Sequence, residues 1–262
     1  MNPWALVTPA SRGIGLEVAR RLLQTTKLPV VTTARKDLDQ TKENVLNGLD
    51  GVKEDRLHVM RADVLDESTL EDAAKKCAQL FPKKDNYLHV AFALPGLLFP
   101  EKSPQQIKYD DALLTFQTNT LGPLMLLKHF SPLLPRKSTK VSSSEGIPNS
   151  AVWVTLSARV GSISDNSLGG WYSYRASKAG VNQMTKTFDN YLKTSAGDNA
   201  MAIALHPGTV KTGLSKEFWN TVKPEKLFTP EFAAEKLIEV VNGRSMDDRG
   251  KCFDWKGEVI PP

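Results

Sequence analysis

Cysteine is scarce in this chain, and long hydrophobic runs are absent. The 262 residues include two cysteines, Cys77 and Cys252, which lie far apart in the sequence. Such a pair fits neither the framework of a disulfide-rich domain nor the spacing of a metal site, so we expect reduced thiols and no metal. Because no apolar run approaches the roughly 20 residues of a membrane-spanning helix, we expect a cytoplasmic protein without membrane contact.

A clustered excess of positive charge is also lacking. The 34 lysines and arginines exceed the 29 aspartates and glutamates by five, and the cations are scattered along the chain. A nucleic-acid-binding protein usually concentrates its basic residues on one element. We therefore do not expect nucleic acid as a partner.

The chain does have enough apolar sequence for one large domain, which we place at residues 1–262. Hydrophobic residues make up 40% of the chain and charged residues 24%. Short apolar segments of strand length alternate with longer segments of helical period. This order predicts an α/β fold, a doubly wound parallel sheet of about seven strands with helices on both faces. The predicted strands are 4–8, 30–34, 57–61, 88–93, 152–156, 201–206 and 252–255, and the clearest predicted helices are 15–24, 68–80, 110–130, 174–193 and 230–242.

Two stretches fit neither pattern. Residues 135–150 are polar and contain Ser142, Ser143 and Ser144 before a Gly-Ile-Pro break, which predicts an exposed loop. Residues 209–229 mix aromatic with polar residues. We interpret this second stretch as a segment that covers the substrate, with simple surface packing as the alternative.

The loop after the first predicted strand has the glycine spacing of a phosphate-binding turn. Gly13 and Gly15 open the first predicted helix, whose free N–H groups could bind a pyrophosphate. Tight packing of strand against helix is the alternative reason for the two glycines. The cofactor contacts expected in this loop are Thr8, Ser11, Arg12, Gly13, Ile14 and Gly15.

The ends of the second and third predicted strands bear on the identity of a cofactor. Arg35 and Lys36 stand where an acidic residue is expected if the cofactor carries a free ribose 2′-hydroxyl. With Arg12 nearby, Arg35 favours the 2′-phosphate of NADPH over NADH, although a solvated arginine is the alternative. Asp63 and Val64 are expected to contact the adenine, and Asp63 equally fits the N-cap of a turn.

Tyr174 and Lys178 are four residues apart at the start of a predicted helix, so their side chains share one helix face. This spacing alone is weak evidence. Its support comes from neighbouring motifs, which are Asn119 in the preceding long helix, the small residues 157–161 after the fifth strand and the Pro-Gly-Thr segment that begins at Pro207.

Together these motifs resemble the short-chain dehydrogenase/reductase family over essentially the whole chain. The resemblance implies a Rossmann-type fold, NADP(H) in preference to NAD(H), and a small carbonyl or alcohol substrate. It also implies a homodimer or homotetramer that associates through the helices predicted at 110–130 and 174–193. The segments most similar to the C-factor-like and sniffer-like carbonyl reductase branch are 99–103, 171–178, 206–210 and 255–258.

The resemblance also implies roles for individual residues. Tyr174 would exchange a proton with the substrate oxygen, and Lys178 would favour its phenolate and bind the nicotinamide ribose. Asn119 would hold a water in the proton relay, with a helix-bending residue bonded to backbone as the alternative. The remaining cofactor contacts expected from the resemblance are Pro207, Gly208, Thr209 and Val210.

Several positions depart from the family pattern. Pro9 replaces a glycine in the phosphate-side loop, and residues 93–95 read Ala-Leu-Pro where the family has Asn-Asn-Ala. The family serine corresponds to Ala158. Its neighbour Ser157 is our candidate replacement, although the two side chains point to opposite faces of an extended strand unless a bulge intervenes.

Two hypotheses follow from these matches and departures. The first is an NADPH-dependent reductase of a ketone or aldehyde, with Tyr174 as the proton donor. The second is a catalytically impaired family member that acts as a nucleotide-binding or protein-interaction module. Loss of one oxyanion-type donor, as at Ala158, typically costs about 10²–10³ in rate, so it does not by itself exclude catalysis.

Overall fold

The computed structural model describes residues 1–142 and 146–262, which contain ten strands and seven α-helices. The strands are β1 (Asn2–Thr8), β2 (Val30–Ala34), β3 (Leu57–Arg61), β4 (Asn86–Ala93), β5 (Ala151–Leu156), β6 (Ala200–His206), β7 (Thr209–Val210), β8 (Leu227–Phe228), β9 (Cys252–Asp254) and β10 (Val259–Ile260). The helices are α1 (Gly13–Thr25), α2 (Leu38–Leu46), α3 (Glu67–Leu80), α4 (Tyr109–Phe116), α5 (Gly122–Phe130), α6 (Tyr172–Ser195) and α7 (Pro230–Asn242).

Eight of these strands form one sheet in the order β10-β9-β6-β5-β4-β1-β2-β3. Every neighbouring pair is parallel except β9 and β10, which are antiparallel. The order runs outward from β1 in one direction and from β4 in the other, so the winding reverses between these two strands. Ligands bind at such a reversal, outside the carboxyl ends of the strands.

Helices cover both faces of the sheet, which explains why its strands read as continuous apolar runs. Successive side chains of β1 alternate between two hydrophobic cores: Val7 packs on one face and Leu6 on the other. Val7 shares its core with residues of α1 and α7, and Leu6 shares its core with residues of α3, α5 and α6. The layers therefore hold the carboxyl ends of all parallel strands at one edge.

The predicted fold class is confirmed, with three differences in its elements. The sheet has eight strands instead of about seven, because the short β10 pairs with β9. Helix α2 lacks the apolar stripe that would predict it, since only Thr41 and Val45 are buried. The single helix predicted at 110–130 is α4 followed by a π-helical segment, Gln117–Leu121, and then α5.

The two irregular stretches also take definite forms. The described part of 135–150 contains no helix or strand, and Ser143 and Ser144 lie outside the described residues. The prediction of exposure is wrong for Ile147 and Pro148, which are both buried. Ile147 packs into a core, and the Pro148 carbonyl oxygen forms a 2.8 Å hydrogen bond with His89 Nε2. In the stretch 209–229, β7 and β8 pair in parallel. Within the described ranges, no helix combines the length and hydropathy needed to cross a bilayer.

Candidate active site

The loop after β4 brings the central predicted site residues together. At the sheet edge, Leu94 N donates to Thr8 O over 2.7 Å, which joins the ends of β4 and β1. A Cβ atom on Gly96 would lie 3.7 Å from Lys178 Nζ and 4.0 Å from Asn119 Oδ1. Lys178 and Asn119 therefore meet at the same point of the strand edge, as their places in the sequence predict.

Tyr174 and Lys178 are neighbours in the first turns of α6. Lys178 Nζ lies 5.8 Å from the centroid of the Tyr174 ring. The same Nζ donates a 2.7 Å hydrogen bond to the carbonyl oxygen of Leu156, at the end of β5. Both side chains are buried, with 8% of Tyr174 and 2% of Lys178 exposed. The pair therefore sits where α6 meets the carboxyl end of β5.

Burial shifts the pKa of each of these groups in the direction that favours its neutral form. It raises the pKa of the Tyr174 phenol well above the ordinary value near 10 and lowers the pKa of Lys178 to about 8. Loss of water around the phenol causes this upward shift of the Tyr174 pKa, and the expectation that Lys178 favours the phenolate stays a prediction. Near neutral pH, Tyr174 carries its proton while most Lys178 side chains remain charged.

Asn119 lies in the π-helical segment and uses both ends of its amide. Its Oδ1 accepts from Leu97 N over 2.8 Å, and its Nδ2 donates to Leu97 O over 2.9 Å and to Ser177 Oγ over 3.0 Å. Asn119 thereby fastens the loop after β4 to α6. Asn119 is thus bonded to backbone, as the alternative interpretation expects, and its role in holding a water stays a prediction.

Ser157 and Ala158 follow β5 in an extended conformation. Ser157 N donates to Leu205 O over 2.8 Å, so strand pairing continues past the end of β5. The Ser157 hydroxyl points to α6 and donates to Asn182 Oδ1 over 2.6 Å. Ala158 is also extended, with φ −151° and ψ 149°. The catalytic role of Ser157 stays a prediction, and it would require the hydroxyl to leave Asn182.

The turn between β1 and α1 requires both of its glycines. Gly13 has φ +59°, and a Cβ atom on Gly15 would lie 1.9 Å from the Pro9 carbonyl oxygen. Arg12, the residue before α1, makes no side-chain hydrogen bond to the first helical N–H groups. These groups are therefore available to an anion, which is what a dinucleotide phosphate needs.

The predicted contacts at the next two strand ends lie on the same edge. Arg35 is exposed directly after β2. Asp63 Oδ1 accepts from Leu65 N over 3.0 Å, so this carboxylate does close a local turn. Val64 packs on α5, where a Cβ atom on Gly122 would lie 2.7 Å from the Val64 Cβ. The adenine contacts stay predictions.

The segment after β6 reaches across the site. Gly208 has φ +77°, and a Cβ atom there would meet the Phe228 ring at 2.6 Å. Further along, Thr212 Cγ2 lies 3.2 Å from the position of a Cβ on Gly13, and Leu214 Cδ1 lies 3.6 Å from that of a Cβ on Gly96. Residues 209–229 therefore extend from the phosphate turn to the Lys178 end of the site.

Sequence reasoning missed the wall of a cavity beside Tyr174. The Trp171 ring stands edge-on to the Tyr174 ring with centroids 6.1 Å apart and contacts the Phe218 ring at 5.0 Å. A cavity of about 630 Å³ is lined by Trp171, Phe218, Phe99, Pro100, Glu101 and Lys102, among others. The sequence signals were the family-like segments 99–103 and 171–178 and the aromatic residues of 209–229, but no pattern showed that they meet.

The low pKa of Lys178 predicts a measurable pH dependence of stability. The pKa of Lys178 is about 8 in the folded chain, against a reference value of 10.5. Between these pH values the unfolded chain therefore binds more protons than the folded chain, and the free energy of unfolding rises with pH. Lys178→Met removes this contribution. We expect the difference in free energy of unfolding between Lys178→Met and wild type to fall by roughly 1.5 kcal/mol from pH 8 to 9.5, measured by urea denaturation.

The control is Lys186→Met, which replaces an exposed lysine of the same helix. Its stability curve should run parallel to that of wild type across this pH range. Parallel curves for Lys178→Met as well would contradict the assigned burial of the ammonium.

Comparison with known proteins agrees with this arrangement. The family model for short chain dehydrogenase matches residues 3–223. The 1-hydroxy-2-glutathionyl-2-methyl-3-butene dehydrogenase of Rhodococcus sp. (strain AD45) is 32% identical over 198 residues, which is 76% of this chain and 77% of the relative. The predicted family resemblance is therefore confirmed from the sequence side.

Two solved structures are similar over the full length of both chains. The carbonyl reductase Sniffer of D. melanogaster has a TM-score of 0.83 at 25% identity. The NADPH-bound carbonyl reductase from chicken fatty liver has a TM-score of 0.81 at 25% identity. Because the family model spans most of the sequence and these structures share the whole fold, the chain belongs to the short-chain dehydrogenase family of oxidoreductases.

Proposed function

We propose that the protein is an NADPH-dependent reductase that converts a ketone or aldehyde into an alcohol. The observation that carries the proposal is the buried, neutral phenol of Tyr174 beside the Lys178 ammonium at the strand edge. A phenol that holds its proton near neutral pH is suited to protonating an oxygen that gains negative charge. The resemblance to an NADPH-bound carbonyl reductase supports the same direction of reaction.

The residues at the carboxyl ends of the parallel strands fit a dinucleotide. The close approach at Gly13 and Gly15 and the uncapped N–H groups of α1 form a cradle for a phosphate group. When bound, NADPH would supply the hydride. Thr8, Arg12, Arg35 and the segment that begins at Pro207 would hold its other parts, while Lys178 would bind the nicotinamide ribose.

Proton transfer is then the work of the protein's own side chains. Tyr174 donates its phenolic proton to the substrate oxygen. Lys178, whose Nζ lies 5.8 Å from the ring centroid, stabilises the phenolate that this transfer creates. The bond from Lys178 Nζ to Leu156 O fixes the ammonium in place, so its charge is already oriented before the transfer.

Tyr174→Phe is expected to abolish most of the turnover. The substitution keeps the ring and its packing but removes the acid, and general acid catalysis typically contributes about 10²–10⁴ in rate. NADPH oxidation over a panel of ketones and aldehydes measures the effect. Tyr191→Phe, an exposed tyrosine of the same helix, is the control and should retain wild-type turnover.

Unchanged turnover in Tyr174→Phe would rule out the proton-donor role. Pro9, the Ala-Leu-Pro segment and Ala158 favour the second hypothesis, that of a catalytically impaired nucleotide-binding or protein-interaction module. Isothermal titration of the wild-type protein distinguishes the two. Tight NADPH binding with any carbonyl turnover excludes a pure scaffold, whereas binding of neither NADPH nor NADH supports a protein-interaction module.

The preference for NADPH is expected to depend on Arg35. A hydrogen bond to a charged group contributes about 1.5–3 kcal/mol, so Arg35→Ala should raise the Kd for NADPH by roughly 10- to 100-fold. The Kd for NADH should change little, because NADH lacks the 2′-phosphate. Titration of both cofactors measures this difference. Lys27→Ala, at the opposite edge of the sheet, is the control, and equal losses for both cofactors would count against the assignment.

Restoring the family hydroxyl should accelerate the reaction. Ala158 follows β5 in an extended conformation, and the family resemblance implies a hydroxyl donor to the substrate oxygen at this position. We expect Ala158→Ser to raise kcat, by up to about 10²-fold if the donor is well aligned. Steady-state kinetics measure the change. A fall in kcat would mean that the site is packed around the alanine methyl group.

The remaining parts of the proposal concern assembly and location. Large apolar side chains are exposed along α4, the π-helical segment and α5, and we propose that a second copy covers this face in a homodimer or homotetramer. We place the protein in the cytoplasm, since Cys77 and Cys252 are free thiols. The exposed side chains of this face are Tyr109, Leu113, Phe116, Leu121 and Leu124.

A further inference from the structure

Glu101 is a buried carboxylate in the loop after β4, and only 3% of it is exposed. Both of its carboxylate oxygens bind one residue of α6. Glu101 Oε2 accepts from Ser173 N over 2.8 Å, and Oε1 accepts from Ser173 Oγ over 2.5 Å. Its backbone oxygen accepts from Trp171 N over 2.6 Å. One residue thus binds the start of α6 at three points.

The start of α6 lacks a cap of its own. Trp171 precedes the helix in the left-handed region with φ +51°, and its side chain makes no capping hydrogen bond. Gly169 and Gly170 also have positive φ, so three consecutive residues turn sharply before the helix. A helix leaves its first N–H groups without intrahelical partners. Glu101 supplies the missing acceptor from a distant part of the chain, and its negative charge suits a helix N-terminus.

The position of this cap matters because Tyr174 is the third residue of α6 and follows Ser173 directly. Helix ends fray, so a side chain in the first turn is held only as firmly as that turn. Glu101 also lies in the lining of the cavity beside the Trp171 ring, which stands edge-on to the Tyr174 ring. The loop that borders the cavity is therefore bonded directly to the turn that carries the phenol.

We propose that Glu101 is a positioning residue for Tyr174. The inference rests on the proposed reductase function. Through Ser173 and Trp171, Glu101 holds the first turn of α6 in the geometry in which the phenol reaches the substrate oxygen, without contacting substrate or cofactor itself. A displacement of about 1 Å at a reacting group can cost 10²-fold in rate, so loss of this cap affects the chemical step.

The test compares Glu101→Ala with Glu101→Gln in the full-length protein. The glutamine can keep both bonds, since its amide oxygen accepts from Ser173 N and its amide nitrogen donates to Ser173 Oγ. We expect Glu101→Ala to lower kcat by about 10- to 100-fold without a matching rise in KM for NADPH. Glu101→Gln should retain most of the wild-type kcat, and Ser173→Ala should fall between the two.

Asp248→Ala is the matched control. Asp248 Oδ2 accepts from Ser245 N over 3.0 Å and from Ser245 Oγ over 3.5 Å, which is the same kind of carboxylate–serine cap at a different helical turn. A general loss of stability would affect both alanine variants. The proposal is overturned if kcat of Glu101→Ala matches that of Asp248→Ala, or if Glu101→Gln is as impaired as Glu101→Ala.

Amide hydrogen exchange supplies a readout that does not need turnover. Residues 172–178 should exchange faster in Glu101→Ala than in wild type or Asp248→Ala. Unchanged exchange there would overturn the positioning role even if the wild type reduces carbonyls. Absence of carbonyl turnover in the wild type would instead refute the proposed function, and the exchange result would still decide whether Glu101 orders this turn.

Discussion

The burial of the Lys178 ammonium is the constraint on which the site depends. A charged group that loses its water needs a fixed acceptor, and the Leu156 carbonyl at the end of β5 provides it at 2.7 Å. The turn after β5 must then lie close to α6. A Cβ atom on Gly161 would come within 2.7 Å of the Lys178 carbonyl carbon, so this approach is possible only with glycine. Strand, turn and helix therefore fit together around one lysine.

Apolar residues stand at two positions where the family pattern has polar side chains. Leu94 and Ala158 place buried apolar side chains where family members carry an amide and a hydroxyl. Such side chains offer no hydrogen bond to a phenolate, and burial without hydrogen bonds favours the protonated phenol. Burial raises the pKa of Tyr174 in the same direction. In the proposed reaction the phenol therefore keeps its proton until the substrate accepts it, and the Lys178 ammonium then stabilises the phenolate.

The sequence predicts those helices and strands that have a clear pattern of apolar residues along their own length. Strands β2 and β3 and helix α7 begin and end where their apolar segments do. The polar α2 and the two-residue β10 lack such a pattern, so tertiary packing alone reveals them. The π-helical segment inside the long helix was equally invisible, because the hydrogen-bond register is not encoded in the spacing of apolar residues. The role of Glu101 depends on Ser173, which is 72 residues away in the sequence.

The same distinction explains why the motif predicted the Tyr174–Lys178 pair but not its protonation. Spacing places Tyr174 and Lys178 on one helix face, and from the pair alone the ammonium should favour the phenolate. In the folded chain the phenol is almost fully buried, and the loss of water raises its pKa. Tyr174 stands in the first turn of α6, where a helix backbone is least restrained. The Glu101 cap reconciles these requirements, because it orders the exposed turn while both side chains stay buried.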